Sequence, residues 1–115
     1  MSEEIESILI PGEKIIIIAK QSRFVPGGSL FTPNTIYVTN FRIIFSDPKC
    51  LGLKAYIVDI NYKDISNVRL EEGILSTEIF IKSRFMSDDI RIEGVDKRIA
   101  RQITKKIQEG IRGEL

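Results

Sequence analysis

At 115 residues, with 43% hydrophobic and 29% charged side chains, the chain is long enough for one packed core and too apolar to remain disordered. A formal net charge of +1 argues against a general nucleic-acid binder, whose basic face would show in the total. Histidine is absent, which removes Ser-His-Asp and Cys-His nucleophile pairs, and the lone Cys50 reads as a small semi-buried apolar residue with no intrachain disulfide to make.

Met1-Ser2-Glu3-Glu4 is acidic and lacks the basic start of a signal peptide. Ser2 to Glu6 can open a helical turn, with Ile5, Ile8 and Leu9 at helical spacing, and Pro11-Gly12 ends it. Lys14 to Gln21 reads as a first strand. Its unbroken run from Ile15 to Ile18 predicts burial on both faces or packing beneath another element, and it is far too short to span a bilayer. A soluble, cytoplasmic chain is the expectation. Ser22 to Pro33 is the longest irregular stretch, and loops of that length usually carry function.

Thr35 to Ser46 reads as two short strands hinged at Asn40-Phe41. Thr39 then pairs with Arg42, Val38 with Ile43 and Ile36 with Phe45. Because side chains alternate along a strand, Ile36, Val38, Ile43 and Phe45 share one face, and Thr35, Tyr37, Thr39, Arg42, Ile44 and Ser46 share the other. A one-residue slip would scatter both sets. Asn40 tolerates the left-handed conformation that tight turns favour, and Arg42 is expected to be structural, paired with a nearby carboxylate or lying across Tyr37.

Asp47 to Lys54 reads as a second loop and Ala55 to Asn61 as the fourth strand, with Tyr56, Val58 and Ile60 on one face. Tyr62-Lys63-Asp64 leads into a fifth strand from Ile65, and Glu72-Gly73 turns the chain. Thr77 to Ser83 and Asp89 to Glu93 follow as strands six and seven, joined by a loop over Arg84 to Ser87; Ile79, Ile81, Ile90 and Ile92 point inward. After Gly94 the apolar period changes from two to about 3.6. Val95, Ile99, Ile103 and Ile107 form the stripe of a helix over residues 95–109, with Gly110 as its stop. The basic residues of that helix are expected to form a solvated outer face. Seven short strands and one amphipathic helix predict a mainly β, single-domain antiparallel barrel, closed at one end by the helix.

Three groups of residues carry a family likeness: Pro11-Gly12-Glu13, Val38-Thr39-Asn40-Phe41-Arg42-Ile43-Ile44-Phe45, and Asn61-Tyr62-Lys63-Asp64-Ile65-Ser66-Asn67-Val68. In this order, ahead of a closing helix, they resemble the bacterial-type pleckstrin-homology (PH) domains and, more distantly, the GRAM domains. The likeness runs over residues 8–110. It implies a split barrel of two antiparallel sheets plugged by the helix. The usual ligand site would lie among the loops joining strands one and two, three and four, and six and seven. It also implies a non-enzymatic module that binds lipid headgroups, peptides or proteins, with no cofactor or metal.

Those three loops hold Lys20, Arg23, Lys49, Lys54 and Arg84 beside the apolar Phe24, Leu30, Phe31, Leu51, Phe85 and Met86. Cations that attract phosphate next to apolar tips compose a surface suited to an anionic membrane. Two alternatives stay open: the loop hydrophobes fold back over the barrel mouth, or they meet a protein partner or a second copy of the chain. Phosphoinositide-binding relatives carry a basic motif running from strand one into strand two; here Thr35-Ile36-Tyr37 adds no cation to Lys20 and Arg23. Weak attachment is therefore expected rather than recognition of one headgroup. The adjacent carboxylates Glu71-Glu72 and Asp88-Asp89 do not converge on one ion from a strand, so neither a catalytic nor a metal site is expected.

Overall fold

The alternation over residues 35–46 builds the hairpin around which the molecule is organised. The computed structural model describes residues 5–20, 35–49, 54–74, 77–87 and 89–115. Strands β1 (Ile15–Lys20), β2 (Thr35–Thr39), β3 (Arg42–Lys49) and β4 (Lys54–Asn61) form one antiparallel sheet in that order. A 3-10 turn, Tyr62–Asp64, leads to a second antiparallel sheet of β5 (Ile65–Glu72), β6 (Thr77–Ser83) and β7 (Ile90–Glu93). Helix α1 (Lys97–Ile111) closes the structure. This is the mainly β architecture with a C-terminal helix that the sequence pattern predicts, divided into the two antiparallel sheets that the family resemblance implies.

The hairpin adopts the expected register, with Ile36 opposite Phe45 and Val38 opposite Ile43. All four are fully buried in a core that also takes Ile79 and Ile81 from β6, Ile90 and Ile92 from β7, and Ala100, Ile103 and Ile107 from α1. Each such isoleucine contributes about 1.5–3 kcal/mol relative to exposure. The turn works without glycine because the Thr39 hydroxyl oxygen accepts from the backbone N–H groups of Phe41 and Arg42, at 3.0 and 2.9 Å. Asn40 braces the neighbouring chain: its Oδ1 accepts from Lys14 N at 2.7 Å and its Nδ2 donates to the Gly12 carbonyl at 3.1 Å.

Three expectations are corrected. The strand buried on both faces is β2, not β1. Ile16 and Ile18 of the edge strand β1 are 41% and 49% exposed, whereas every β2 residue is buried. The cause is the N-terminal segment: Ile5, Ile8 and Leu9 pack across the outer side of the sheet on Tyr37, Ile44 and Ile15. The second correction concerns the loop after β3. Asp47, Pro48 and Lys49 continue that strand and Lys54 begins β4, so the connection narrows to residues 50–53. Lastly, Gly110 does not stop the helix. It lies within α1, and Gly113, at φ +75°, makes the turn beyond it. At the other end, the Asp96 side chain caps α1 by accepting from Arg98 N at 3.1 Å.

Candidate functional site

Strand register positions the lysines of the expected site. Lys20, the last residue of β1, is exposed and faces Thr35 at the start of β2, which in turn faces Ser46. From Ser46 the β3–β4 ribbon runs three residues further, to the cross-strand pair Lys49 and Lys54. At about 3.4 Å per residue, that ribbon reaches about 10 Å beyond Lys20. Three of the five cations thus stand at the same end of the four-stranded sheet. Arg23, Phe24, Leu30, Phe31 and Leu51 lie outside the described residues.

The remaining members of the set lie elsewhere. Arg84 follows β6; its backbone N–H donates to the Asp64 carbonyl at 2.9 Å and its Nε to the Lys63 carbonyl at 3.1 Å. Those carbonyls belong to the turn after β4, which leaves the sheet at the end away from Lys54. Arg84 is therefore drawn apart from the three lysines. Of its neighbours, Phe85 is 79% exposed, while Met86 packs partly against the main core.

Arg42 takes the structural role its position suggests. Its Nε lies 2.9 Å from Glu13 Oε2 and its Nη2 3.0 Å from Glu13 Oε1, while Nη1 donates to Asp59 Oδ2 at 3.0 Å and Nη2 also to the Ile8 carbonyl at 2.8 Å. Glu13 accepts further bonds from the Thr39 hydroxyl and from Ile10 N, at 2.7 and 3.0 Å. Burial pushes the Glu13 carboxyl up, but the bonds from Arg42, Ile10 and Thr39 and the charge of Arg42 outweigh it and hold the carboxyl below its ordinary value. The Tyr62 hydroxyl beside this cluster donates to the Thr39 carbonyl, and burial together with the Glu13 charge pushes its pKa up. The sequence pattern indicates a carboxylate for Arg42 but not which one, since Glu13 and Asp59 are distant along the chain and meet only through the β1–β2 and β3–β4 pairings.

Glu71 and Glu72 diverge as strand geometry requires: Glu71 pairs with Arg69 at 2.8 Å and Glu72 with Arg101 at 2.6 Å. On the basic helix, Arg101 is taken up in that way and Lys106 lies 3.3 Å from Glu109. Among the described residues no cluster of three or more His, Cys, Asp or Glu could hold a metal ion, and no helix is long and apolar enough to cross a membrane.

The fold is shared with solved PH domains. A PH domain from Shewanella amazonensis SB2B superposes with a TM-score of 0.71 at 22% identity, covering 97% of this chain and 96% of its own. A DUF1696 family protein with a PH domain, from Shewanella loihica PV-4, gives 0.68 at 21% identity over 96% of this chain and 92% of its own. The Vps36 N-terminal PH domain gives 0.55 at 17% identity, covering 89% and 84%. No curated protein matches the sequence. The bacterial PH domain family matches residues 9–109, from just ahead of Glu13 nearly to the end of α1. PH folds serve in general as binding modules rather than catalysts. From the two-sheet barrel, the closing helix and that match along nearly the whole chain, the protein belongs to the bacterial PH domain family.

Proposed function

We propose that this domain is a non-enzymatic binding module that attaches weakly to anionic lipid headgroups through the lysine-bearing end of its four-stranded sheet. The supporting observation is the register that gathers Lys20, Lys49 and Lys54 at that end. Each cation near an anionic bilayer contributes on the order of 1 kcal/mol, so three lysines with Arg23 nearby in sequence support peripheral attachment rather than tight recognition. The apolar residues Phe24, Leu30, Phe31 and Leu51 belong to the same two connections and supply the interfacial part of the contact. Arg84 and Phe85 are a secondary contact, set apart from the lysines by their attachment to the turn after β4.

The test is co-sedimentation with vesicles of neutral phosphatidylcholine and with vesicles containing phosphatidylserine. Binding to the anionic vesicles alone is expected. Failure to bind them even at low salt overturns this reading.

One observation favours a second reading. Among the described residues β1 is an edge strand, with Ile16 and Ile18 half exposed, and an edge bearing β-branched side chains is a template for pairing with another chain. A stable oligomer in size-exclusion chromatography with light scattering, without vesicle binding, would make the domain an assembly module instead.

A further inference from the structure

Away from the lysine-bearing end, the β2–β3 turn, the end of β4 and the end of α1 enclose an open cleft of about 350 Å³. A Cβ on Gly110 would stand 2.4 Å from Tyr62 Cγ, so only glycine lets the helix lie this close over the ring, which is buried apart from the small part that lines the cleft. The ring is tethered by its hydroxyl, which donates to the Thr39 carbonyl. Phe41, 40% exposed on the turn, forms the facing apolar wall.

The polar part of the lining is uneven. Lys63 is the one charged side chain among the described lining residues. Neither its ammonium nor the carboxamide of Asn61 beside it has a bonding partner among the described residues. Of the carboxylates on the adjoining elements, Glu109 pairs with Lys106, Glu114 with Arg112 and Asp59 with Arg42, while Asp64, next to Lys63 in the chain, forms no ion pair with it. The cleft thus offers an apolar seat, a group able both to donate and to accept a hydrogen bond, and a cation with no ion pair among the described residues. It also holds a guest of its own. The left-handed Gly113 turns the chain back, with its N–H donating to the Gly110 carbonyl at 3.0 Å, and Leu115 lines the cleft with 39% of its surface exposed.

We propose that this cleft docks an extended peptide segment of a partner protein in which an aliphatic side chain is flanked by carboxylates, and that Leu115 occupies the seat as an internal substitute. The aliphatic group lies between Phe41 and Tyr62, Asn61 reads the peptide amide and Lys63 meets the acid. The site shares no residue with the lysine end, so it stands or falls independently of vesicle binding.

The test uses the blocked pentapeptide Ala-Glu-Leu-Glu-Ala, titrated against the ¹⁵N-labelled full chain and followed by amide chemical shifts. Saturable shifts are expected at Asn61, Lys63, Gly110 and Gly113. Leu115→Ser empties the seat and should tighten binding about threefold, while Lys63→Glu should weaken it about tenfold. Ala-Lys-Leu-Lys-Ala should bind at least about tenfold more weakly than the acidic peptide. Both variants change exposed side chains, and dispersed spectra check that they fold. The proposal is overturned by absence of saturation in Leu115→Ser up to about 5 mM peptide. Equal binding of the basic peptide, or unchanged affinity in either variant, overturns it as well.

Discussion

Two residues carry meanings that their neighbours in sequence do not reveal. Gly110 stands where a helix stop is expected, yet its role is close approach to Tyr62. The two roles predict opposite signs for Gly110→Ala. At an ordinary exposed helix position, alanine would stabilise by about 1 kcal/mol. Against a ring held by its own hydroxyl bond, overpacking costs about 1–3 kcal/mol and should win, lowering the thermal midpoint by several degrees. A rise in the midpoint would show that the ring yields. Glu13 is the second case. Removing its charge leaves Asp59 as the one carboxylate on the Arg42 guanidinium among the described residues, so Glu13→Gln should cost about 3 kcal/mol at pH 7. The pH dependence follows from the lowered carboxyl. Its folded pKa lies below the ordinary 4.5, so its stabilisation is complete above that value and is lost as acid protonates the folded form. Urea titrations at pH 7 and in increasingly acid buffer should show the gap between wild type and Glu13→Gln narrowing only below about pH 4.5.

At the scale of elements, what could be read in the sequence is what depends on periodicity. β6 was legible to the residue, because Thr77–Ser83 alternates between a buried and a more open side, and the hairpin register followed from the same rule. The helical stripe was legible for a similar reason, although Val95 turned out to pack ahead of α1 rather than within it. Other features depend on which segment lies over which, and no period encodes that. The outer side of the four-stranded sheet is an example: Tyr37 and Ile44 are buried beneath Ile5, Ile8 and Leu9, whose helical spacing does not say which face of the sheet they cover. The candidate site was legible only in part. By sequence Lys49 and Lys54 share a loop, but they lie at the ends of two paired strands; Arg84 is grouped with them by loop number, whereas its bonds to the turn after β4 draw it elsewhere. The N-terminal cover and the helix plug are each testable by one substitution. Ile5→Ala removes a side chain only 2% exposed and should cost about 2–4 kcal/mol in urea unfolding; a neutral result would show that the cover contributes nothing. Ile103→Asp places a charge in the fully buried stripe of α1 and should cost enough to unfold the domain, visible as loss of NMR dispersion.

At the scale of the whole molecule, the net charge of +1 makes long-range attraction to an anionic surface weak, so any attachment must come from the local concentration of lysines at one end. That makes the response to salt diagnostic. The Debye length shrinks from about 30 Å at 0.01 M salt to about 8 Å at 0.15 M, so lysines acting on phosphates through solvent lose much of their effect over that range. Binding to phosphatidylserine vesicles should therefore fall steeply between those two conditions. Arg23→Glu combined with Lys54→Glu reverses two charges of the proposed contact and should abolish vesicle binding while leaving the thermal midpoint nearly unchanged, since surface charge reversals rarely cost more than about 0.5 kcal/mol. Phe31→Ser separates the two components of the contact. It deletes apolar insertion and keeps every charge, so binding should weaken at all salt concentrations while the salt dependence keeps its slope. A slope that changes with Phe31→Ser, or vesicle binding that survives the double charge reversal, would remove the lysine end from the contact. The exposed edge of β1, with Ile16 and Ile18, would then be the surface to examine.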